Sequence, residues 1–113
     1  MKRERELLFY KKYFDEFFEP QPEAVKKKIE WMLVAVRDLP MIPEKYFKHM
    51  EGTDGLFEIR VKVSSNIYRI FSFFDKGNIV VIGNGFQKKT QKTPKNEIEK
   101  ALRIKKEYED ENK

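Results

Sequence analysis

Gly55-Leu56-Phe57-Glu58-Ile59-Arg60-Val61-Lys62-Val63-Ser64-Ser65-Asn66-Ile67-Tyr68-Arg69-Ile70-Phe71-Ser72-Phe73-Phe74 is the stretch on which the fold turns. Strand side chains alternate between faces, so in Leu56–Val63 the residues Phe57, Ile59, Val61 and Val63 share one face. Leu56, Glu58, Arg60 and Lys62 share the other. Ser64-Ser65-Asn66 reads as a turn. Ile67–Phe74 is apolar on both faces apart from Arg69 and Ser72, the pattern of a central strand. If the turn closes a hairpin, Arg69 pairs near Arg60 or Val61. Asp75-Lys76-Gly77-Asn78 places Gly where a tight turn needs positive φ, and Ile79–Ile82 follows as a third strand. Two hairpins in succession predict an antiparallel meander.

Working outward, Pro22–Leu39 is the clearest helix. Val25, Ile29, Met32, Leu33 and Val36 form one apolar stripe, Pro22 suits the first helical position, and Pro40 ends the run. Pro43 can open a short helical turn through Phe47. Upstream, Arg5–Tyr10 reads as a short first strand, and Phe14, Phe17 and Phe18 fit a helical turn. Downstream, Gly83-Asn84-Gly85 loosens the backbone before Phe86 and a basic loop. Thr93-Pro94 opens a last helix, with Thr as N-cap and Pro at the first position; Ile98, Ala101, Leu102 and Tyr108 give that helix a partial apolar stripe. The class is α+β: an antiparallel meander whose apolar face packs on the Pro22–Leu39 helix. The opposite face carries Arg60, Lys62 and Arg69.

The chain has 113 residues, which predicts one domain over residues 1–113. It has no cysteine and one histidine, His49, which excludes a disulfide scaffold, a Cys nucleophile, thiolate zinc sites and His-cluster metal sites. No metal or cofactor is expected. The longest apolar run, Trp31–Val36, is far short of a membrane span, and no apolar signal core follows the basic start, so a cytoplasmic location and no membrane partner are expected. The carboxylate pairs (Glu97 and Glu99, Asp110 and Glu111) read as solvated, against a glycosidase. Gly83-Asn84-Gly85 lacks the rest of either nucleotide fingerprint.

The formal net charge is +5. From Lys88 to Lys106 there are eight basic residues and two acidic ones, a local block that attracts a polyanion or forms a solvated helix face. Arg60 and Lys62 share a face about 6.5–7 Å apart along one strand, Arg69 sits on the next, and the loop Gln87–Lys92 can fold over the same face. The start of the last helix adds N–H groups suited to an anion. Together these would form a phosphodiester pocket. RNA carries its own nucleophile, the 2′-hydroxyl. Guanidinium groups stabilise the charge of the phosphorane, and a lysine crowded by cations can exchange protons near neutrality. The structural alternatives stay open: Arg60 paired with Glu58 or Asp54, Arg69 in a buried salt bridge, and the loop lysines solvated. Phe86 is a core residue or a base-stacking platform. Lys48 is by default a surface lysine, counted here with the RNA-binding cations.

Several segments resemble a known family: Gly55-Leu56-Phe57-Glu58-Ile59-Arg60-Val61, Tyr68-Arg69-Ile70-Phe71, and Gly85-Phe86-Gln87-Lys88-Lys89-Thr90-Gln91-Lys92-Thr93-Pro94, followed by Glu97-Ile98 and Ala101. In that order they resemble the RelE/HigB superfamily of type II toxins, in particular its phage-derived HigB-like branch. The resemblance implies a compact, microbial-RNase-like α+β fold and an endoribonuclease that cuts mRNA on the ribosome without a metal. It also implies an antitoxin partner of the helix-turn-helix, HigA-like kind, with DNA contacted only through that complex. Arg60 and Arg69 match the sheet arginines that hold the scissile phosphate. Lys88, Lys89 and Lys92 match the basic loop that completes the site, and Lys62, Lys48 and Phe86 are counted as further RNA contacts. RelE-like members carry a lysine, assigned as a base, where Arg60 stands here. Arginine hardly deprotonates, so the proton-transfer role passes to Lys89. The tyrosine or histidine that such chains carry near the end of the site has no sure equivalent, Tyr108 lying far along the helix. The alternatives are a ParE-like toxin that inhibits DNA gyrase and an inactive RNA- or partner-binding module of the same fold.

Overall fold

Residues 3–113 are described by a computed structural model. Its elements are β1 (Glu6–Phe9), α1 (Tyr13–Phe18), α2 (Glu23–Asp38), β2 (Phe47–His49), β3 (Leu56–Val63), β4 (Asn66–Asp75), β5 (Ile79–Lys88) and α3 (Lys95–Glu111). They build an α+β fold around one five-stranded sheet of order β1-β5-β4-β3-β2. The meander β3–β4–β5 forms as its alternation predicts, with Ile59 opposite Ile70 and Arg60 opposite Arg69. Ser64, at φ 55°, turns the first hairpin and Gly77, at φ 63°, the second.

Two edges complete the sheet. β1 lies parallel to β5, Glu6 opposite Ile79 and Phe9 opposite Ile82, so the sheet is mixed rather than a pure meander. β2 lies antiparallel to β3. The helical turn expected from Pro43 to Phe47 is a single turn, in which the Pro43 carbonyl accepts from the N–H groups of Tyr46 and Phe47. The chain then extends, because Phe47 gains a stacked partner in Phe57 at 4.9 Å.

The stripe Val25, Ile29, Met32, Leu33 and Val36 is buried against one face of the sheet, with Phe14 and Phe17 of α1 beside it and Ile59, Val61, Ile70 and Ile82 beneath. The Arg5 guanidinium donates to the carbonyls of Val36 (2.9 Å) and Leu39 (2.7 Å), satisfying acceptors that the end of α2 leaves open. The opposite face carries a second core: Leu56, Phe71, Phe73, Val81 and Phe86 under Ala101, Ile104 and Tyr108 of α3. The far end of α3 is held by the Tyr108 hydroxyl on Asp75 (2.6 Å) and by Lys11 on Glu107 (2.7 Å). No helix among the described residues is long and apolar enough to cross a membrane.

The segment expected to loosen at Gly83-Asn84-Gly85 stays in the sheet. β5 continues to Lys88 through an irregularity in its register opposite Ile70–Ser72. Gly85 is required there because the Phe17 ring occupies the space of a side chain: a Cβ on Gly85 would lie 2.5 Å from Phe17 Cδ2. Substituting Gly85→Ala forces a buried ring to move, and by the usual cost of overpacking should destabilise the protein by about 1–3 kcal/mol. Urea unfolding of the two proteins measures this; an unchanged midpoint would contradict the packing described.

Candidate functional site

α3 covers the apolar part of its face of the sheet and starts where the charged rows begin. Cross-strand neighbours share a face, so the register stacks Arg60, Arg69 and Phe86 in one row across β3, β4 and β5. Lys62, Ile67 and Lys88 form the next row. On the other side of the arginines, Lys48 of β2 stands opposite Glu58, which pairs in turn with Phe71. Two guanidinium groups directly opposite each other repel, so something must offset that repulsion.

Glu58 does so. Its side chain is only 5% exposed, and one carboxylate reaches both arginines. Arg60 Nη2 lies 3.4 Å from Oε1, and Arg69 Nε lies 3.6 Å from Oε2. The Thr93 hydroxyl donates to Oε2 at 3.1 Å. This contact replaces the expected capping role: Pro94, not Thr93, is the cap residue of α3, and no side chain caps that helix start. Thr93 instead anchors the helix start to the site. Asn84 assists one turn on, its side-chain amide donating to the Glu97 carbonyl at 3.5 Å.

The arginines are held but not saturated. Arg69 is buried and donates from Nη1 to the Tyr68 carbonyl at 3.3 Å. The Nε atoms of both Arg60 and Arg69 are buried without a hydrogen-bond partner. Burial lowers the proton affinity of Arg69, with Arg60 adding to the effect and Glu58 opposing it. Lys88 is lowered as well, first by burial and then by the charges of Arg69 and Arg60, Glu58 again opposing. A lysine that loses its proton more readily than usual beside two fixed cations is suited to proton exchange.

Two hollows flank this cluster and share Ile67 as a wall. One, of about 380 Å³, is lined by Lys28 of α2, Lys45, Tyr46, Arg60, Lys62 and Arg69, among others. The second, of about 440 Å³, is lined by Lys88, Lys89, Thr90 and Gln91. The structure therefore brings together Arg60, Arg69, Lys62 and Lys88, with Lys48 on the same face. Lys89 lies past the end of β5 and is exposed, and Lys92 is exposed in the loop, where its carbonyl accepts from the Thr90 hydroxyl at 2.7 Å. Phe86 is buried and stacked on Phe71 at 5.7 Å, so it is a core residue rather than a presented ring. Sequence reading passed over Glu58 as a site residue, although alternation already placed it beside Arg60. Lys45 and Tyr46 carried no signal, since their position depends on β2.

The family model described as phage derived protein Gp49-like (DUF891) matches residues 16–106, from within α1 through most of α3. The chain belongs to that family. The Gp49-like proteins are a RelE-type toxin family, and the chain is a RelE-superfamily member. The match contains Glu58, Arg60, Arg69 and Lys88. Among solved structures the chain is similar to the archaeal RelE–RelB complex from Pyrococcus horikoshii OT3, with a TM-score of 0.49 and 17% identity over 73% of this chain and 92% of that one. No curated protein sequence matches.

The shared carboxylate makes a quantitative demand. Removing one partner of a buried pair strands the other charge, so Glu58→Ala should cost about 3 kcal/mol, the low end for such pairs. The double variant Glu58→Ala/Arg69→Met should be more stable than the sum of the single effects. A double-mutant cycle by chemical denaturation tests this, and strict additivity would mean that the two groups do not interact.

Proposed function

We propose that this Gp49-like protein is the toxin of a type II toxin–antitoxin pair, a cytoplasmic, single-domain endoribonuclease that cuts mRNA on the ribosome. The observation that carries this reading is the arginine pair itself. Two guanidinium groups are held side by side by one buried carboxylate at the end of the sheet that α3 leaves uncovered, and the Arg60 side chain stays 31% exposed there. One carboxylate neutralises only one of the two cations, and the forked donors of a guanidinium match phosphate oxygens.

In the proposed reaction Arg60 and Arg69 bind the non-bridging oxygens of the scissile phosphate. The start of α3 adds its positive dipole end. The 2′-oxygen attacks phosphorus as its proton passes to the Lys88 amine. The bond from phosphorus to the 5′-oxygen then breaks, leaving a 2′,3′-cyclic phosphate and a 5′-hydroxyl once that oxygen takes up a proton. The arginines stabilise the extra negative charge of the phosphorane, a contribution typically worth about 100- to 1000-fold in rate per donor. Lys88 takes the proton-transfer role in place of Lys89, because it shares the arginines' face and its proton affinity is lowered by burial and then by their field. Lys62, Lys48, Lys89 and Lys92 serve as electrostatic contacts to RNA. Toxins of this type are held in check by an antitoxin, proposed here to be a helix-turn-helix, HigA-like protein.

Primer extension on cellular mRNA after induction should show codon-phased cuts; DNA-damage signalling without cuts would instead mean a gyrase poison. Arg69→Ala should lower cleavage about 100- to 1000-fold while antitoxin capture persists. If it still arrests growth at equal expression, the arginine's role is wrong. For Lys88 the sign is fixed. Its neutral form is the base, so the single-turnover rate should rise with pH through a value below the ordinary 10.5. Lys88→Arg should remove that rise and Lys89→Ala should keep it. A wild-type pH profile in Lys88→Arg would contradict the assignment.

A further inference from the structure

β2 pairs with Phe57–Ile59 of β3, so beyond Arg60 that strand has no further edge partner among the described residues. The cleft of about 380 Å³ opens at this edge. Among the described residues that line it, Lys28, Lys45, Arg60, Lys62 and Arg69 are cationic and none is acidic. Its aromatic member, Tyr46, is pinned in place. The Tyr46 carbonyl accepts from the Arg60 N–H at 2.8 Å, and its own N–H donates to the Pro43 carbonyl at 2.9 Å. Part of the ring rests on the core beneath α2. Lys45 Nζ stands 5.1 Å from the ring centroid.

We infer that this cleft is a nucleotide subsite for single-stranded RNA, continuous with the scissile-phosphate site through Arg60 and Arg69. In it Tyr46 stacks on the neighbouring base while Lys28, Lys45 and Lys62 contact the flanking phosphates. The inference rests on the nuclease reading and names how its substrate is held. An acidic protein segment would also favour the cations. It would make no use of a ring fixed against the phosphate-binding arginine, whereas alternation of a cationic track with an aromatic platform is how single strands are bound without base-pair readout. The volume lies within the roughly 300–1,000 Å³ of ligand sites, enough for one nucleotide. A strand seated here and passing Arg69 would continue toward the hollow lined by Lys88 and Lys89, since both hollows share Ile67.

The test is fluorescence anisotropy of the full chain with a labelled single-stranded oligoribonucleotide carrying a 2′-O-methyl block, beside a labelled polyglutamate peptide. Tyr46→Ala should weaken RNA binding on the order of 10-fold or more, and Tyr46→Phe should stay within about 2-fold of wild type because the ring remains. The triple variant Lys28→Ala/Lys45→Ala/Lys62→Ala should lower the slope of log affinity against log salt by about 2, near 0.7 for each single-strand phosphate that the protein no longer neutralises. If Tyr46→Ala does not fold, as judged by thermal unfolding, the lysine variant decides alone. Unchanged RNA affinity and salt slope overturn the inference, as does a loss confined to polyglutamate, which would make the cleft a site for an acidic protein. A variant with normal binding that still cleaves removes the subsite and leaves the nuclease. A wild-type chain that binds as described but never cleaves keeps the subsite and removes the nuclease.

Discussion

One buried carboxylate sets the conditions for everything on the charged face. Glu58 lies two residues before Arg60 on the same strand face, and the register places Arg69 directly across from Arg60. Without Glu58, two guanidinium groups would face each other in a site that water reaches poorly, and each would be driven to turn away. With it, they are drawn toward one point and held there. Thr93 then ties the start of α3 to the same carboxylate. A single anion thus holds two cations and, through Thr93, the end of the basic loop where α3 starts.

The arrangement leaves the positive charge in excess and partly unbonded, which is where function enters. A protein seeking stability alone would gain more from apolar residues at these positions, since buried ion pairs seldom improve on well-packed hydrophobic ones. Here two arginines share one carboxylate, and Lys88 is pushed toward its neutral form by burial first and then by the same cations. The stabilising apolar contacts are placed elsewhere, under α2 on one face and under the length of α3 on the other. The charged end of the sheet is the part that α3 leaves uncovered, where the proposed anion site lies.

Much of this was legible in the sequence. Alternation in Leu56–Val63 and Ile67–Phe74 was long enough to assign both faces, so the hairpin put Arg69 near Arg60 or Val61, of which the register selects Arg60, and the stripe of α2 was unambiguous. What escaped had physical reasons. β2 is three residues long, too short to show a period, and it extends because Phe47 stacks on Phe57. Gly83-Asn84-Gly85 read as a loop because the Phe17 ring that fills the space at Gly85 comes from a distant segment. That error decided which loop lysine was favoured: only once β5 is known to run to Lys88 does parity put Lys88, and not Lys89, beside the arginines. Glu58 read as an ordinary surface partner of Arg60 because its other two partners, Arg69 and Thr93, come from other segments of the chain.

The central claim is that Arg60 and Arg69 form one anion site, drawn together by Glu58. The most direct measurement follows the arginine Nε–H resonances of the labelled protein by NMR during titration with a dinucleotide that lacks the 2′-hydroxyl and so is not cut. The account requires the Arg60 and Arg69 signals to shift together, with one dissociation constant. Two arginines that stay still, or that titrate with unrelated constants while signals elsewhere move, would show that no shared phosphate site exists.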